Sequence, residues 1–152
     1  MKSVSTVVRG TLALVAAGML AACENPVSSG SHFTPDGLTI QAGTTVLVEA
    51  IGGRTQPTVT GGLTVQAGQQ TAPLTLRFTD ASGATMTPPQ GYYVEVVSAS
   101  PAVAQWQAAG DLGGTVAGVA AGTTTFRVRW LHGPQGAGHE ETGWNVVVLV
   151  TP

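Results

Sequence analysis

From residue 37 to the C-terminus, apolar and polar side chains alternate with a period of two, and no stretch carries an apolar stripe at helical spacing. Leu74, Leu76 and Phe78 fall on one face of an extended segment, with Thr75, Arg77 and Thr79 on the other. Tyr92, Val94 and Val96 oppose Tyr93, Glu95 and Val97, and Phe126, Val128 and Trp130 oppose Thr125, Arg127 and Arg129. Trp144, Val146, Val148 and Val150 line a last face. Further strands are predicted at 38–41, 46–51, 63–66, 103–106 and 115–119. Turn signals separate the segments: Gly52-Gly53, Gly61-Gly62, Asp80-Ala81-Ser82-Gly83, Pro88-Pro89, Gly113-Gly114 and Ala121-Gly122. Successive side chains of a strand point to opposite faces, so each segment buries one face only. Short strands at this spacing close into a sandwich or a small barrel, and the pattern predicts an all-β domain.

One segment echoes another. Leu38-Thr39-Ile40-Gln41-Ala42-Gly43 returns 25 residues later as Leu63-Thr64-Val65-Gln66-Ala67-Gly68. A solenoid would need a third turn, which does not follow. Two strands entering similar Gly turns explain the echo, with the first copy expected as an N-terminal hairpin added to the main domain.

The N-terminus breaks the alternation. Lys2 and Arg9 form a positive region, an apolar run spans 11–20, and the segment ends in Leu20-Ala21-Ala22-Cys23. The run is shorter than the ~20 apolar residues of a comfortable membrane span. The tetrad resembles the lipobox of bacterial lipoproteins. That resemblance implies a signal peptide at 1–22, cleavage before Cys23, diacylglycerol on its sulfur and acylation of the new amino terminus. Two or more acyl chains, at ~0.8 kcal/mol per buried CH₂, give stable attachment where one is marginal. The expected location is the cell envelope, lipid-anchored to a bacterial membrane on its periplasmic side or at the cell surface. Residues 23–35, rich in Ser, Gly and Pro, are expected as a flexible tether to a domain at 36–152.

Composition narrows the partners. The chain has 152 residues with 9% charged, 21 Gly and a single Cys. One domain is the default at this length, and Cys23 leaves no second thiol for a disulfide or for catalysis. After removal of 1–22, four arginines face eight acids for a net charge of −4, with no lysine. A chain so poor in basic residues does not bind nucleic acid electrostatically. The mature protein is expected as a monomer, with envelope protein or glycan as candidate partners beside the membrane itself.

Residues 98–126 carry a second resemblance. Ser98-Ala99-Ser100-Pro101-Ala102-Val103-Ala104 is followed by Gly114-Thr115-Val116-Ala117-Gly118-Val119-Ala120-Ala121-Gly122-Thr123-Thr124. This is similar to the bacterial immunoglobulin-like domain, group 2, over roughly 58–151. The resemblance implies an immunoglobulin-like β-sandwich of about seven to nine strands, with Val103 and Val116 inward and Gly118 at a close strand contact. It also implies a structural, adhesive or ligand-presenting role. The sequence departs from the family in having Trp106 after the Ser-Pro segment and a long connection at 131–143 between the last two strands.

That connection holds the main chemistry: His132, His139, Glu140 and Glu141. Imidazole and carboxylate together suit Zn²⁺, Cu²⁺ or Ni²⁺, and a Gly-rich loop folding back from His132 to His139 would bring both rings to one ion. His132, His139 and Glu140 are therefore the candidate metal ligands. His32 is a conceivable third histidine that nothing in the sequence places there. The six-residue gap between His132 and His139 matches no compact zinc pattern, and a solvated polar loop explains the same residues. No cofactor is expected outside this metal alternative. Catalysis is not expected: no serine sits in a Gly-x-Ser-x-Gly elbow, and adjacent Glu140 and Glu141 do not flank a substrate as glycosidase acids do. Trp130 and Trp144 share parity with the core positions, which leaves Tyr93 as the aromatic expected to contact a ligand. Arg127 and Arg129 face outward, where Glu95 on a neighbouring strand can pair with them.

Overall fold

The computed structural model describes residues 32–53 and 56–152, all within one compact unit, Ser31–Pro152. The leader at 1–22, Cys23 and most of the expected tether lie outside the described residues. Eleven strands follow one another: β1 (Gly37–Ala42), β2 (Thr45–Ile51), β3 (Thr58–Gly61), β4 (Leu63–Gln66), β5 (Leu74–Thr79) and β6 (Thr85–Met86). Then come β7 (Tyr92–Ser98), β8 (Ala104–Ala108), β9 (Gly113–Gly118), β10 (Gly122–His132) and β11 (His139–Thr151). They build two sheets. The larger runs β3-β2-β1-β5-β9-β8, with the two-residue β6 pairing β5, and the smaller runs β4-β11-β10-β7. β4 lies parallel to β11, and the remaining pairs are antiparallel. The fold is an all-β sandwich.

Alternation decides the faces as predicted. Leu74, Leu76 and Phe78 of β5 are buried, as are Phe126, Val128 and Trp130 of β10 and Trp144, Val146, Val148 and Val150 of β11. The two inner faces meet at an aromatic centre. The Phe78 ring lies 5.0 Å from Trp130 and 5.8 Å from Trp144, both from the opposite sheet. Each such side chain, fully buried, contributes roughly 1.5–3 kcal/mol or more of hydrophobic driving force. Trp106 on β8 adds an edge contact to Phe126, with centroids 6.4 Å apart.

The structure corrects three expectations. Among the described residues the strands number eleven, because short β3 and β6 extend the larger sheet beyond the predicted set. The first copy of the echo is no appended hairpin: β1 pairs with both β2 and β5 and buries Leu38 and Ile40, so it is integral to the larger sheet. The second copy, β4, belongs to the other sheet. Finally, the long connection at 131–143 is mostly strand. β10 continues to His132 and β11 starts at His139, leaving only residues 133–138 as the turn.

Val116 is fully buried, as the family resemblance implies, whereas Val103 is only half-buried and its neighbour Ala104 fills the interior. Gly118 sits at a close approach. A Cβ there would meet the Gln66 carbonyl oxygen at 2.5 Å.

Candidate metal centre

The β10–β11 hairpin sets the site. Its ladder pairs Trp130 with Thr142 and Leu131 with Glu140, so Glu141 is the extra residue of a bulge. A bulge turns the chain and re-aims the side chains beside it. Here it separates two adjacent carboxylates. Glu140 goes to the outer face of the small sheet, where Arg127 donates to its Oε1 and Arg129 Nε donates to Oε2 at 2.8 Å. Arg129 also pairs with Glu95 at 2.9 Å, the expected cross-strand partner. Glu141 turns the other way, and its side chain is 5% exposed.

Three imidazoles gather round it. His139, the ladder partner of His132, brings Nε2 to 2.7 Å from Glu141 Oε1. His32 Nδ1 reaches the same oxygen at 2.7 Å from 109 residues away. An ionised carboxylate only accepts, so both ring N–H groups donate to it. His132 Nδ1 stands 4.0 Å from that oxygen, and it is buried without a hydrogen-bond partner. Tyr92 stacks on the His132 ring at 4.4 Å and 19°, which fixes its plane.

Metal geometry can be compared with these distances. One ligand atom each from His32, His139 and Glu141 lies within 4.8 Å of the others. A tetrahedral ion with bonds near 2.1 Å holds its ligand atoms about 3.4 Å apart and its imidazole centroids about 5 Å apart. The observed centroid separations are 5.3, 6.4 and 6.5 Å. The His132–His139 pair matches that spacing, and the His32 ring stands about 1–1.5 Å farther from each of them. The residues present fit a borderline metal such as Zn²⁺ or Cu²⁺: nitrogen-rich, one carboxylate, and an orphaned ring nitrogen that a metal would satisfy.

Of the residues expected as ligands, His132 and His139 come together and Glu140 does not. The carboxylate that stands with the imidazoles is Glu141, the bulge residue, while Glu140 is taken by the two arginines. His32 completes the group from the segment 32–35, which was expected as the end of the tether and instead lies against the sandwich. Trp130 Nε1 donates to the Phe33 carbonyl at 2.8 Å, and the Phe33 N–H donates to the Tyr92 hydroxyl at 3.2 Å. No local pattern in the sequence signals this docking. Tyr93, the aromatic expected to contact a ligand, braces the hairpin turn: its hydroxyl donates to Pro134 O at 3.3 Å and accepts from Gly138 N–H at 3.2 Å. A Cβ on Gly138 would come within 2.7 Å of that hydroxyl, so the contact requires glycine.

No family model matches the chain, and no curated protein matches it. Among solved structures it is similar to the crystal structure of domains 4 and 5 of the S-layer protein SbsC. The identity is 18% and the TM-score 0.47, over 99% of this chain and 88% of that one.

Proposed function

We propose that the protein is a lipid-anchored cell-envelope protein whose β-sandwich binds a divalent transition-metal ion, Zn²⁺ or Cu²⁺, through His32, His132, His139 and Glu141. One observation carries the metal reading: two ring nitrogens lie at 2.7 Å and a third at 4.0 Å from a single oxygen of Glu141. Four protein ligands fill a tetrahedral shell and leave no position for a reactive water, so the site serves binding and not catalysis. The structural or adhesive role implied by the family resemblance has no residue cluster of comparable definition among the described residues. Anchoring rests on Leu20-Ala21-Ala22-Cys23, which places the site outside the cytoplasm, where it can capture or sense a metal.

Calorimetric titration of Zn²⁺ into the mature protein tests the metal reading, beside a His132→Ala/His139→Ala double variant. Binding in the micromolar range or tighter, lost in the variant, is the expected result. No binding heat in either protein overturns it. For the anchor, Cys23→Ser is expected to move the protein out of the membrane fraction, and unchanged membrane retention would overturn that part.

A further inference from the structure

The ligands of this site come from two distant parts of the chain. His132, His139 and Glu141 belong to the β10–β11 hairpin, whereas His32 precedes β1. Residues 32–35 pair into neither sheet. They are held at the sandwich end by side-chain contacts: Trp130 to the Phe33 carbonyl, the Phe33 N–H to Tyr92, and His32 to Glu141. Trp130 is fully buried, and the Phe33 carbonyl is the acceptor its indole N–H uses there. Immediately downstream, the Asp36 N–H donates to Thr79 O at 2.8 Å and joins the chain to the larger sheet. The docked stretch is thus a four-residue strap between the sheet and the segment that leads back to Cys23.

Resting on the metal-binding reading, we infer that the ion is a staple for this strap. By taking His32 Nδ1 together with the three hairpin ligands, it fastens residues 32–35 to the sandwich. Metal occupancy then sets whether residues 32–35 are docked on the sandwich or released from it. Undocking the strap frees four residues, about 13–14 Å of reach at full extension. The coupling is reciprocal by linkage: the factor by which the ion favours docking equals the factor by which a docked His32 raises the ion's affinity. An ion held equally well without His32 would not move the strap.

Phe33 provides a readout, because it is 49% exposed and chymotrypsin cleaves after phenylalanine. The protein obtained by expressing the full chain is digested with and without Zn²⁺, and the Phe33–Thr34 cut is followed by mass. The expected result is that Zn²⁺ slows this cut ~10-fold or more and that His32→Ala lowers Zn²⁺ affinity by a similar factor. The His132→Ala/His139→Ala double variant, which is expected not to bind the ion, controls for effects on the protease at the same Zn²⁺ concentration, and Zn²⁺ is expected not to change its cutting rate. An unchanged circular dichroism spectrum for His32→Ala establishes that the sandwich still folds. If the wild type binds Zn²⁺ but cleavage is unaffected, or His32→Ala binds equally tightly, the staple fails and the metal site stands. If the wild type binds no Zn²⁺, both fail.

Discussion

Glu140 and Glu141 are adjacent, yet they meet opposite surroundings. Glu140 is clamped by Arg127 and Arg129 on the outer face, with part of its side chain in solvent. Glu141 is nearly buried and takes two imidazole N–H groups on one oxygen. Removing its charge removes the only anion among the ligands, so Glu141→Gln is expected to weaken Zn²⁺ binding by at least ~10-fold. Glu140→Gln should leave Zn²⁺ affinity unchanged and cost about 0.2–1 kcal/mol of stability, as exposed ion pairs do. Calorimetry and urea unfolding on the two variants separate these outcomes, and equal losses of affinity would contradict the assignment. Asp80 gives a pH-dependent case. Its carboxylate accepts from the Ser82 hydroxyl at 2.6 Å and from the Ala84 and Ser82 N–H groups at 2.9 Å, and these bonds, the hydroxyl first, hold its pKa below the ordinary aspartate value. A carboxyl whose pKa is lower folded than unfolded stabilises in full above its unfolded value, ~3.9, and loses that contribution as pH falls through the folded one. Asp80→Ala is therefore expected to lower the urea midpoint at pH ~7 and to converge with the wild type in strong acid.

The strands show what alternation can and cannot report. It placed the buried faces of β5, β10 and β11, since a two-residue period follows directly from strand geometry. It did not report which strand neighbours which. β1 therefore read as an appendage although it stands between β2 and β5. Nor did it show the bulge at Glu141, which changes the parity of β11 with no residue type to mark it. With the bulge, Glu140 pairs with Leu131 and turns to the outer face, while Glu141 is left unpaired in the ladder. His32 could be named from the sequence but not placed, because its partner is 109 residues away and its segment has no period. The glycine of the family-like stretch, in contrast, was legible. Gly118 ends β9, donates to Gln69 O at 2.9 Å and accepts from Gly68 N–H at 2.8 Å, lacing the larger sheet to the turn after β4. Any Cβ there strikes the backbone oxygen of Gln66. Gly118→Ala is expected to destabilise the protein by about 1–3 kcal/mol through this overpacking. Chemical unfolding measures it, and a neutral result would mean that β4 yields at little cost.

Among the described residues, the two sheets meet at an aromatic centre, and the candidate metal site lies beside it. Phe78 belongs to the larger sheet, while Trp130 and Trp144, the rings it touches, belong to the smaller. Trp130 also carries the hydrogen bond to Phe33, so the same side chain serves the core and the strap. Truncating Phe78 to alanine opens a cavity between the sheets at a cost of about 3–5 kcal/mol. Against a typical domain stability of roughly 5–15 kcal/mol, that loss is large but survivable. A core shared by both sheets should unfold in one step, with tryptophan fluorescence and far-ultraviolet circular dichroism giving the same urea midpoint. An ion that binds only the folded state adds about 2.7 kcal/mol when present at a hundred times its dissociation constant. Zn²⁺ at that concentration is therefore expected to return Phe78→Ala most of the way to the urea midpoint of the metal-free wild type. Failure of the ion to shift the variant, while it shifts the wild type, would mean that the cavity reaches the site through Trp130. Two separate transitions would mean that the sheets do not depend on a common core.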